Sequence, residues 1–297
     1  MTERVGYVGL GLMGKPIARN LMRAGYDLVV HNRSQAAVRE LVAEGAQRAG
    51  TPCEVAENSD FIFTSLPDSP DVEQVVLGEG GVIEGARTGQ VFVDNSTIKP
   101  ETARRVASAL AAVGVDALDA PVSGGDVGAK AGTLAIMVGG SRQAFDRAFP
   151  IFEAMGKTIT YVGESGAGQV AKACNQVMVA AQMVAMGELI LLAQKCGVDP
   201  QQVIAAIRGG AAQCWTLDNK PQRLFQGERS PGFKAYMQHK DLGIVMDTAR
   251  TYGMPLPMTA VSQQLYESML QLGMGQLDNS AVIGVLEAMA GVELAGA

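Results

Sequence analysis

Two patterns of hydrophobic and polar positions divide the chain near residue 163. Before this point, short apolar runs alternate with segments in which apolar residues recur at helical spacing. The apolar runs predict strands at 4–8, 27–30, 61–64, 91–93, 115–118, 133–138 and 158–162. The segments between them predict a helix closed by Gly25 and further helices at 36–44, 70–76, 100–112 and 142–154. Alternating strands and helices predict an α/β fold with a doubly wound parallel sheet.

After residue 163 only helical spacing remains. It predicts helices at 167–195, 200–208, 238–253, 256–272 and 279–290, with breaks at glycines and prolines. We therefore expect an α/β domain at 1–163 and an all-helical C-terminal domain at 164–297.

A glycine-rich loop, GLGLMG at 9–14, joins the first strand directly to the first helix. In this context Gly9 would make the tight turn, Gly11 would let the backbone approach a pyrophosphate, and Gly14 would let the helix pack close to the strand. The N–H groups at the helix start would hold the phosphates. A purely structural glycine turn is the alternative. We interpret residues 1–163 as a dinucleotide-binding Rossmann domain whose cofactor loop also includes Leu10, Leu12 and Met13.

The end of the second strand bears on the choice of cofactor. NAD sites usually carry an acidic residue there to bind the ribose 2′-hydroxyl. Here the sequence is His31, Asn32, Arg33 and Ser34, without an acid. Arg33 could bind a 2′-phosphate, with Asn32 and Ser34 adding hydrogen bonds, so NADP(H) is favoured and NAD(H) remains possible. Alternatively, Arg33 is a solvated turn residue and the segment caps the next helix; both interpretations can hold together.

Three further loops follow predicted strand ends, where ligands of open parallel sheets bind. Leu66 and Pro67 follow one strand and Thr97 follows the next, so both loops should face the cofactor. The third loop, DAPVSGG at 119–125, offers the Ser123 hydroxyl and the unobstructed N–H groups of Gly124 and Gly125. Successive N–H groups bind anions, which suits a substrate carboxylate. A Pro-Gly surface loop is the alternative.

Lys172 stands out in the helix predicted at 167–195. Between residues 166 and 194 the only other charged residue is Glu188. A lysine on such an apolar helix either extends its ammonium group to water or has a lowered pKa, which would make it a usable proton donor near neutral pH. The sequence leaves both possibilities open.

Composition argues against several other classes. Lys and Arg total 24 against 30 for Asp and Glu, a net charge of −6, which does not favour a nucleic-acid partner. The run from Val177 to Ala193 is better interpreted as a buried helix than as a membrane span. The four cysteines lack CxxC spacing and there are only two histidines, so no metal site is expected. The chain lacks a signal-like start, so we expect a cytoplasmic protein, and the Met-rich helical half suggests a homodimer or homotetramer.

Taken together, these segments resemble the β-hydroxyacid dehydrogenase family over essentially the whole chain. The resemblance rests on VGLGLMGKPIARNL at 8–21, DAPVSGG at 119–125, GAGQVAKACN at 166–175 and KDLG at 240–243. It implies that Lys172 is the catalytic acid/base and that Asn175, on the same helix face, helps hold the substrate. It further implies that Lys240 closes over the cofactor, Thr97 touches the nicotinamide side and Phe233 lines the site.

Within this family the segment at 206–220 is most similar to the tartronate semialdehyde reductases. The turn at 31–34 instead resembles that of the NADP-using succinic semialdehyde and glyoxylate reductases, and Cys214 with Trp215 is bulky for the smallest substrates. We expect an NAD(P)-dependent reductase of a small carboxylate-bearing semialdehyde. Tartronate semialdehyde is preferred; 3-hydroxyisobutyrate, succinic semialdehyde and glyoxylate are the alternatives. A non-catalytic nucleotide-binding scaffold and a phosphogluconate-type decarboxylase are weaker possibilities.

Overall fold

The structure, a computed structural model, describes residues 3–294. The chain divides into two compact units between Lys172 and Ala173, inside a long helix. The sequence pattern placed the division near residue 163, at the end of the last strand. The division falls later because the start of the long helix is hydrogen-bonded to the sheet through the Asp119 carboxylate.

The strands of the first unit form one sheet in the order β3-β2-β1-β4-β5-β6-β8-β7, with β9 paired to β8. They are β1 (Arg4–Val8), β2 (Asp27–His31), β3 (Gln47–Arg48), β4 (Phe61–Thr64), β5 (Val91–Asp94), β6 (Asp116–Asp119), β7 (Val122–Ser123), β8 (Leu134–Gly140) and β9 (Gly156–Gly163). The helices are α1 (Gly14–Arg23), α2 (Gln35–Ala43), α3 (Pro52–Glu57), α4 (Ser69–Leu77), α5 (Val82–Gly85), α6 (Pro100–Ala111), α7 (Gly125–Ala131) and α8 (Arg142–Glu153). The predicted strands and longer helices are confirmed, and the short elements β3, β7, α3, α5 and α7 were not predicted.

One part of the sheet departs from the predicted all-parallel arrangement. Strands β1 to β6 run parallel, but β8 pairs antiparallel with both β6 and β7. The short helix α7 connects β7 to β8, and the chain enters it through Gly124 and Gly125, whose φ angles are 132° and 62°. This connection is too short to be the crossover that parallel strands require. The sheet is therefore mixed at this end.

The central strands are buried on both faces, which explains why they are continuous apolar runs. Along β4, Phe61 and Phe63 belong to one core cluster and Ile62 belongs to the cluster on the other face. The ring of Tyr7 in β1 stacks on Phe63 with centroids 6.0 Å apart. Two apolar layers thus hold the strand ends in fixed positions.

The second unit is helical and has no strand among its described residues, as predicted, although Lys234 and Asp278 form an isolated β-bridge. Its helices are the greater part of α9 (Ala167–Lys195), then α10 (Pro200–Ile207), α11 (Trp215–Asn219), α12 (Pro221–Phe225), α13 (Ala235–Thr251), α14 (Pro257–Gln271), a 3₁₀ turn at Asn279–Val282 and α15 (Ile283–Ala290). The short helices α11 and α12 were not predicted. This unit has its own apolar core, which includes Met183, Ile190 and Tyr266.

A buried ion pair joins Lys220, between α11 and α12, to Asp278, at the start of the 3₁₀ turn. The Lys220 ammonium is 2.7 Å from Asp278 Oδ1, and the two side chains are 7% and 2% exposed. Burial raises the pKa of Asp278. The charge and hydrogen bond of Lys220, together with hydrogen bonds from Ser280, lower the pKa by more than burial raises it, so the pKa of Asp278 lies below its ordinary value. The Lys220 ammonium also lies 5.9 Å from the ring centroid of Trp215, a residue that is 56% exposed.

Helix α9 is long and apolar enough to cross a bilayer by length and composition. Core helices of soluble proteins have the same properties, and half of the most apolar part of α9 is buried within the protein. Its buried residues include Met183, Met186 and Ile190, which belong to the core of the second unit. These contacts support the interpretation of α9 as a core helix.

Candidate active site

Glycine suits the three positions of the loop between β1 and α1 for different geometric reasons. Gly9 has a φ of 95°, and a Cβ there would lie 2.3 Å from the Ser65 carbonyl oxygen. A Cβ on Gly14 would lie 1.9 Å from the carbonyl oxygen of Gly9, so only glycine allows α1 to start this close to the loop. At Gly11, in contrast, a Cβ would have no described atom within 4 Å. Open space at the middle glycine fits the close approach of a pyrophosphate.

Asn32 ties the end of β2 to this loop. Its Oδ1 accepts a hydrogen bond of 2.9 Å from the backbone N–H of Leu10, and its Nδ2 donates to the carbonyl oxygen and hydroxyl of Ser34 at 2.8 Å each. The amide is therefore engaged in holding the protein's own loops. Its predicted contact with a 2′-phosphate stays a prediction, whereas its positioning of Leu10 is a direct observation.

The predicted 2′-phosphate residues lie at the surface. Arg33 and Ser34 are exposed. Ser34 occupies the N-cap position of α2, as the capping alternative predicts. Its side chain, however, makes no capping hydrogen bond to the helix. Among the described residues, the Arg33 guanidinium makes no hydrogen bond or ion pair. A guanidinium so placed can bind an anion at the end of β2.

The loops that follow β4 and β5 are joined to each other. The Ser96 hydroxyl accepts a hydrogen bond of 2.8 Å from the backbone N–H of Leu66. Asp94 Oδ1 accepts hydrogen bonds from the Thr64 hydroxyl at 2.7 Å and from the backbone N–H of Ser96 at 3.0 Å. Pro67 is exposed and Thr97 is half-buried. Both predicted cofactor loops therefore lie at the carboxyl ends of adjacent strands.

The start of α9 is fixed to the same edge of the sheet. The Asp119 carboxylate, at the end of β6, accepts hydrogen bonds from the backbone N–H groups of Gly166 at 2.7 Å and Gln169 at 2.9 Å. The Gln169 side chain donates to the Ser96 carbonyl oxygen at 2.8 Å and accepts from the N–H of Ile98 at 3.1 Å. Lys172 follows Gln169 by one turn of the helix, so these contacts set its height above the sheet edge.

The electrostatics of Asp119 are unusual. The pKa of Asp119 is raised from 3.8 to about 6, mainly by burial. The hydrogen bonds from Gly166 and Gln169 oppose this rise, and the nearby negative charge of Asp94 adds to it. Ionised Asp119 lies at the positive end of α9, where a negative charge is favourable. Its protonation near pH 6 would weaken both hydrogen bonds to the helix start.

The structure places the predicted carboxylate-binding loop between β7 and α7. Ser123 is the last residue of β7 and is half-buried, and Gly124 and Gly125 both have positive φ angles. Gly124 precedes the first turn of α7 and has no side chain to obstruct its own N–H or the next one. This backbone can present consecutive N–H groups to an anion.

Lys172 is buried, with only 6% of the residue exposed, which disfavours a side chain extended into solvent. Asn175 is half-buried and lies three positions further along α9. In the second unit, Asn175 Nδ2 donates a hydrogen bond of 2.8 Å to Gln176 Oε1, and Gln176 Nε2 donates one of 2.6 Å to Asp241 Oδ2. The Lys240 ammonium lies 2.9 Å from Asp241 Oδ1.

Phe233, the other predicted site residue of the second unit, is held by its backbone. Its N–H donates to Asp278 Oδ2 at 3.2 Å, and its carbonyl oxygen accepts from the N–H of Asn279 at 2.8 Å. The buried Lys220–Asp278 pair thus also positions the segment that carries Phe233.

The chain is similar to known proteins along most of its length. Residues 4–163 match the family described as the NAD binding domain of 6-phosphogluconate dehydrogenase. Residues 166–286 match the family described as the NAD-binding domain of NADP-dependent 3-hydroxyisobutyrate dehydrogenase. The 2-hydroxy-3-oxopropionate reductase of Escherichia coli is 42% identical over 292 residues, which cover 98% of this chain and 100% of that protein. The chain belongs to the β-hydroxyacid dehydrogenase family.

Other relatives in the family carry different names. The 2-(hydroxymethyl)glutarate dehydrogenase of Eubacterium barkeri is 39% identical, over 99% of this chain and 98% of that protein. The 3-hydroxyisobutyrate dehydrogenase of Mycobacterium tuberculosis, solved with L-serine, has a TM-score of 0.87 at 33% identity and covers 96% of this chain and 99% of its own. The protein is thus an NAD(P)-dependent hydroxyacid dehydrogenase, and the family shares no single substrate.

Sequence reasoning missed two residues of this dehydrogenase that position Lys172. Asp119 and Gln169 both lie inside motifs that were recognised, but only their neighbours were given roles. The available signal was a carboxylate at a strand end, which commonly binds backbone N–H groups. The sequence pattern does not identify those N–H groups, because they lie about fifty positions further along the chain.

Proposed function

We propose that this dehydrogenase reduces a small carboxylate-bearing semialdehyde with NADPH, with tartronate semialdehyde, which gives glycerate, as its preferred substrate. The observation that carries the proposal is the attachment of α9 to the sheet edge. Asp119 and Gln169 hold the turn that precedes Lys172 at the ends of β5 and β6. The glycine loop follows β1 at the same edge, where a dinucleotide would bind.

In this proposal Lys172 is the proton donor. Its ammonium group hydrogen-bonds the carbonyl oxygen of the substrate, stabilises the negative charge that develops there and donates a proton as the alkoxide forms. The reduced nicotinamide, when bound, supplies the hydride. Burial of Lys172 keeps the charge in a region of low dielectric, where its interaction with the oxygen is stronger than in water.

The remaining predicted residues hold the substrate and cofactor. The Ser123 hydroxyl and the N–H groups of Gly124 and Gly125 bind the carboxylate, which explains a preference for acids over simple aldehydes. Asn175 orients the substrate, and Phe233 covers it. Lys240 is assigned to cofactor binding because of the family resemblance, and its positive charge complements the negative charge of the cofactor.

NADPH is the proposed cofactor because of the end of β2. Arg33 is an exposed guanidinium at the position where NAD sites carry an acid, and no acid occurs at 31–34. The description of the second matching family as NADP-dependent supports the same choice. NADH remains the alternative cofactor.

The substrate choice is supported by the reductase from Escherichia coli, which is similar over its full length. A second candidate substrate pair is 3-hydroxyisobutyrate and methylmalonate semialdehyde, supported by the structural similarity to the enzyme from Mycobacterium tuberculosis. Succinic semialdehyde and glyoxylate are further alternatives because of the turn at 31–34. All of these carry a carboxylate, so the same loop would bind them.

A panel of substrates tests the proposal. Initial rates of NADPH and NADH oxidation are measured with tartronate semialdehyde, methylmalonate semialdehyde, succinic semialdehyde and glyoxylate. We expect the highest kcat/KM with tartronate semialdehyde and NADPH. A higher value with methylmalonate semialdehyde would favour the second candidate. NADPH binding without turnover of any compound would identify a non-catalytic scaffold.

The second unit also supports a proposal on assembly. Large apolar side chains are exposed on its helices, including Met178, Leu192, Met258 and Val261. We propose that a second copy covers them, which gives a homodimer or homotetramer. Light scattering during gel filtration measures the mass, and a mass of one chain, 31.0 kDa, at micromolar concentration would contradict assembly.

A further inference from the structure

Two hydrogen bonds and one ion pair within the second unit join two residues to which we assign different ligands. Asn175 donates to Gln176, Gln176 donates to Asp241, and Asp241 lies 2.9 Å from the Lys240 ammonium. Asn175 contacts the substrate and Lys240 the cofactor in the function proposed above, on which this inference rests. Gln176 and Asp241 have no assigned role.

The order of donors and acceptors in this chain follows from Asp241. A carboxylate can only accept hydrogen bonds, so Gln176 must turn its amide nitrogen toward Asp241 and its Oε1 toward Asn175. Asn175 must then turn its own amide nitrogen toward Gln176. One N–H and the Oδ1 of Asn175 remain available for a ligand. The carboxylate thus fixes which way the Asn175 amide faces, although the Gln176 side chain separates them.

Burial makes this order rigid. Gln176 and Asp241 are each 2% exposed, and the Lys240 side chain is 16% exposed. If either amide were reversed, an oxygen would face an oxygen or an N–H would face an N–H, and buried hydrogen bonds would be lost without water to replace them. The short contact of 2.6 Å between Gln176 and Asp241 is that of a charge-assisted hydrogen bond.

We propose that Gln176 and Asp241 are positioning residues with distinct effects. Gln176 orients Asn175 alone and therefore acts on substrate binding. Asp241 orients Asn175 through Gln176 and also holds Lys240, so it acts on both substrate and cofactor binding. The alternative is a purely structural network that keeps α9 against α13 and has no separate effect on either ligand.

Two substitutions separate these roles. Gln176→Met keeps the side-chain length but removes both hydrogen bonds, and Asp241→Asn keeps the shape but removes the charge. Gln182→Met is the matched control, because Gln182 lies on the same helix and accepts a hydrogen bond of 2.9 Å from Thr216. Each variant is assayed for the KM of the semialdehyde, for kcat, and for NADPH affinity by fluorescence titration without substrate.

For Gln176→Met we expect the KM of the semialdehyde to rise about tenfold, the change that corresponds to one well-placed hydrogen bond, with NADPH affinity within about twofold of the wild type. For Asp241→Asn we expect a similar rise in KM and a weakening of NADPH binding by about tenfold. Gln182→Met should change neither. Equal effects of Gln176→Met and Asp241→Asn on NADPH affinity would overturn the proposal, as would a Gln176→Met variant with an unchanged KM.

The test remains decisive if one variant fails to fold or if the proposed function is wrong. If Asp241→Asn does not fold, the contrast between KM and NADPH affinity in Gln176→Met still supports or overturns the substrate branch. If the wild type reduces no semialdehyde of the panel, the proposed function fails. The NADPH titration of Asp241→Asn against Gln176→Met then still supports or overturns the cofactor branch.

Discussion

The backbone N–H of Gln169 donates a hydrogen bond of 2.9 Å to the Asp119 carboxylate, and this contact joins the first turn of α9 to the end of β6. Because Lys172 lies one turn further along that helix, the proton donor of the proposed reaction depends on a carboxylate that touches no ligand in our assignment.

The stability of the protein should depend on the protonation of Asp119. Its pKa is about 6 in the folded protein, against 3.8 ordinarily, because of burial. Between these values the folded state binds more protons than the unfolded state, so the free energy of unfolding falls as pH rises. This group alone makes the folded state about 3 kcal/mol more stable below about pH 3.8 than above about pH 6.

Urea unfolding of the wild type and of Asp119→Asn over this pH range measures the effect. The wild type should lose stability relative to the variant as pH rises through about 6, and the difference should be constant above that value. Asp116→Asn, at the other end of β6, is the control and should follow the wild type. A difference between the wild type and Asp119→Asn that does not vary with pH would contradict the pKa.

Two glycine substitutions in the same loop should separate folding from cofactor binding. In Gly14→Ala the new Cβ would meet the Gly9 carbonyl oxygen at 1.9 Å, so we expect a loss of about 1–3 kcal/mol of stability from overpacking. In Gly11→Ala the Cβ meets no described atom within 4 Å, so the melting temperature should stay near that of the wild type. NADPH affinity should nevertheless fall at least tenfold, since the methyl group would occupy the space assigned to the pyrophosphate. Wild-type affinity in Gly11→Ala would refute this placement.

Removal of the Lys172 ammonium should reduce kcat by at least about a hundredfold, because the carbonyl oxygen loses both its proton donor and its stabilising charge. Lys172→Met suits this test, since the site is buried and methionine fills similar space. Lys195→Met, at the exposed end of the same helix, is the matched control and should keep wild-type kcat. NADPH titration of both variants checks that the fold is intact. Near-full kcat in Lys172→Met at saturating substrate would remove Lys172 from the mechanism.

Cofactor preference should depend on Arg33. We expect Arg33→Gln to raise the KM for NADPH about tenfold or more, the cost of one charge-assisted contact with a phosphate, and to leave the KM for NADH unchanged. Arg39→Gln, an exposed arginine on α2, controls for the general loss of positive charge. Equal kcat/KM with NADPH and NADH in the wild type would contradict the assignment before any variant is made.

The sequence predicted the long elements well because their periodicity extends over enough residues to be recognised. Strands β4 and β5 and helix α9 were predicted nearly to the residue. Helices of four to seven residues such as α5 and α7 were missed, since so short a segment shows less than two turns of periodicity.

Function was harder to assign than fold for a different reason. Asn32 was predicted from its position to contact a phosphate, and the structure uses its amide to hold Leu10 and Ser34. Asp119 and Asp241 bond partners far away in sequence, and the identity of such partners depends on tertiary packing. A motif predicts which residues lie near a site, whereas the tertiary fold determines which atoms of those residues bond to one another.

The buried pair of Lys220 and Asp278 also has a spectroscopic consequence. Trp215 is the only tryptophan of the sequence, it is half exposed, and its ring faces the Lys220 ammonium. Selective excitation of tryptophan therefore reports on a single ring, whose emission responds to nearby charge and to water. Any ligand that reorganises the segment at 206–220, or that displaces Lys220 from Asp278, should change this intrinsic fluorescence, so the unlabelled enzyme carries its own optical probe.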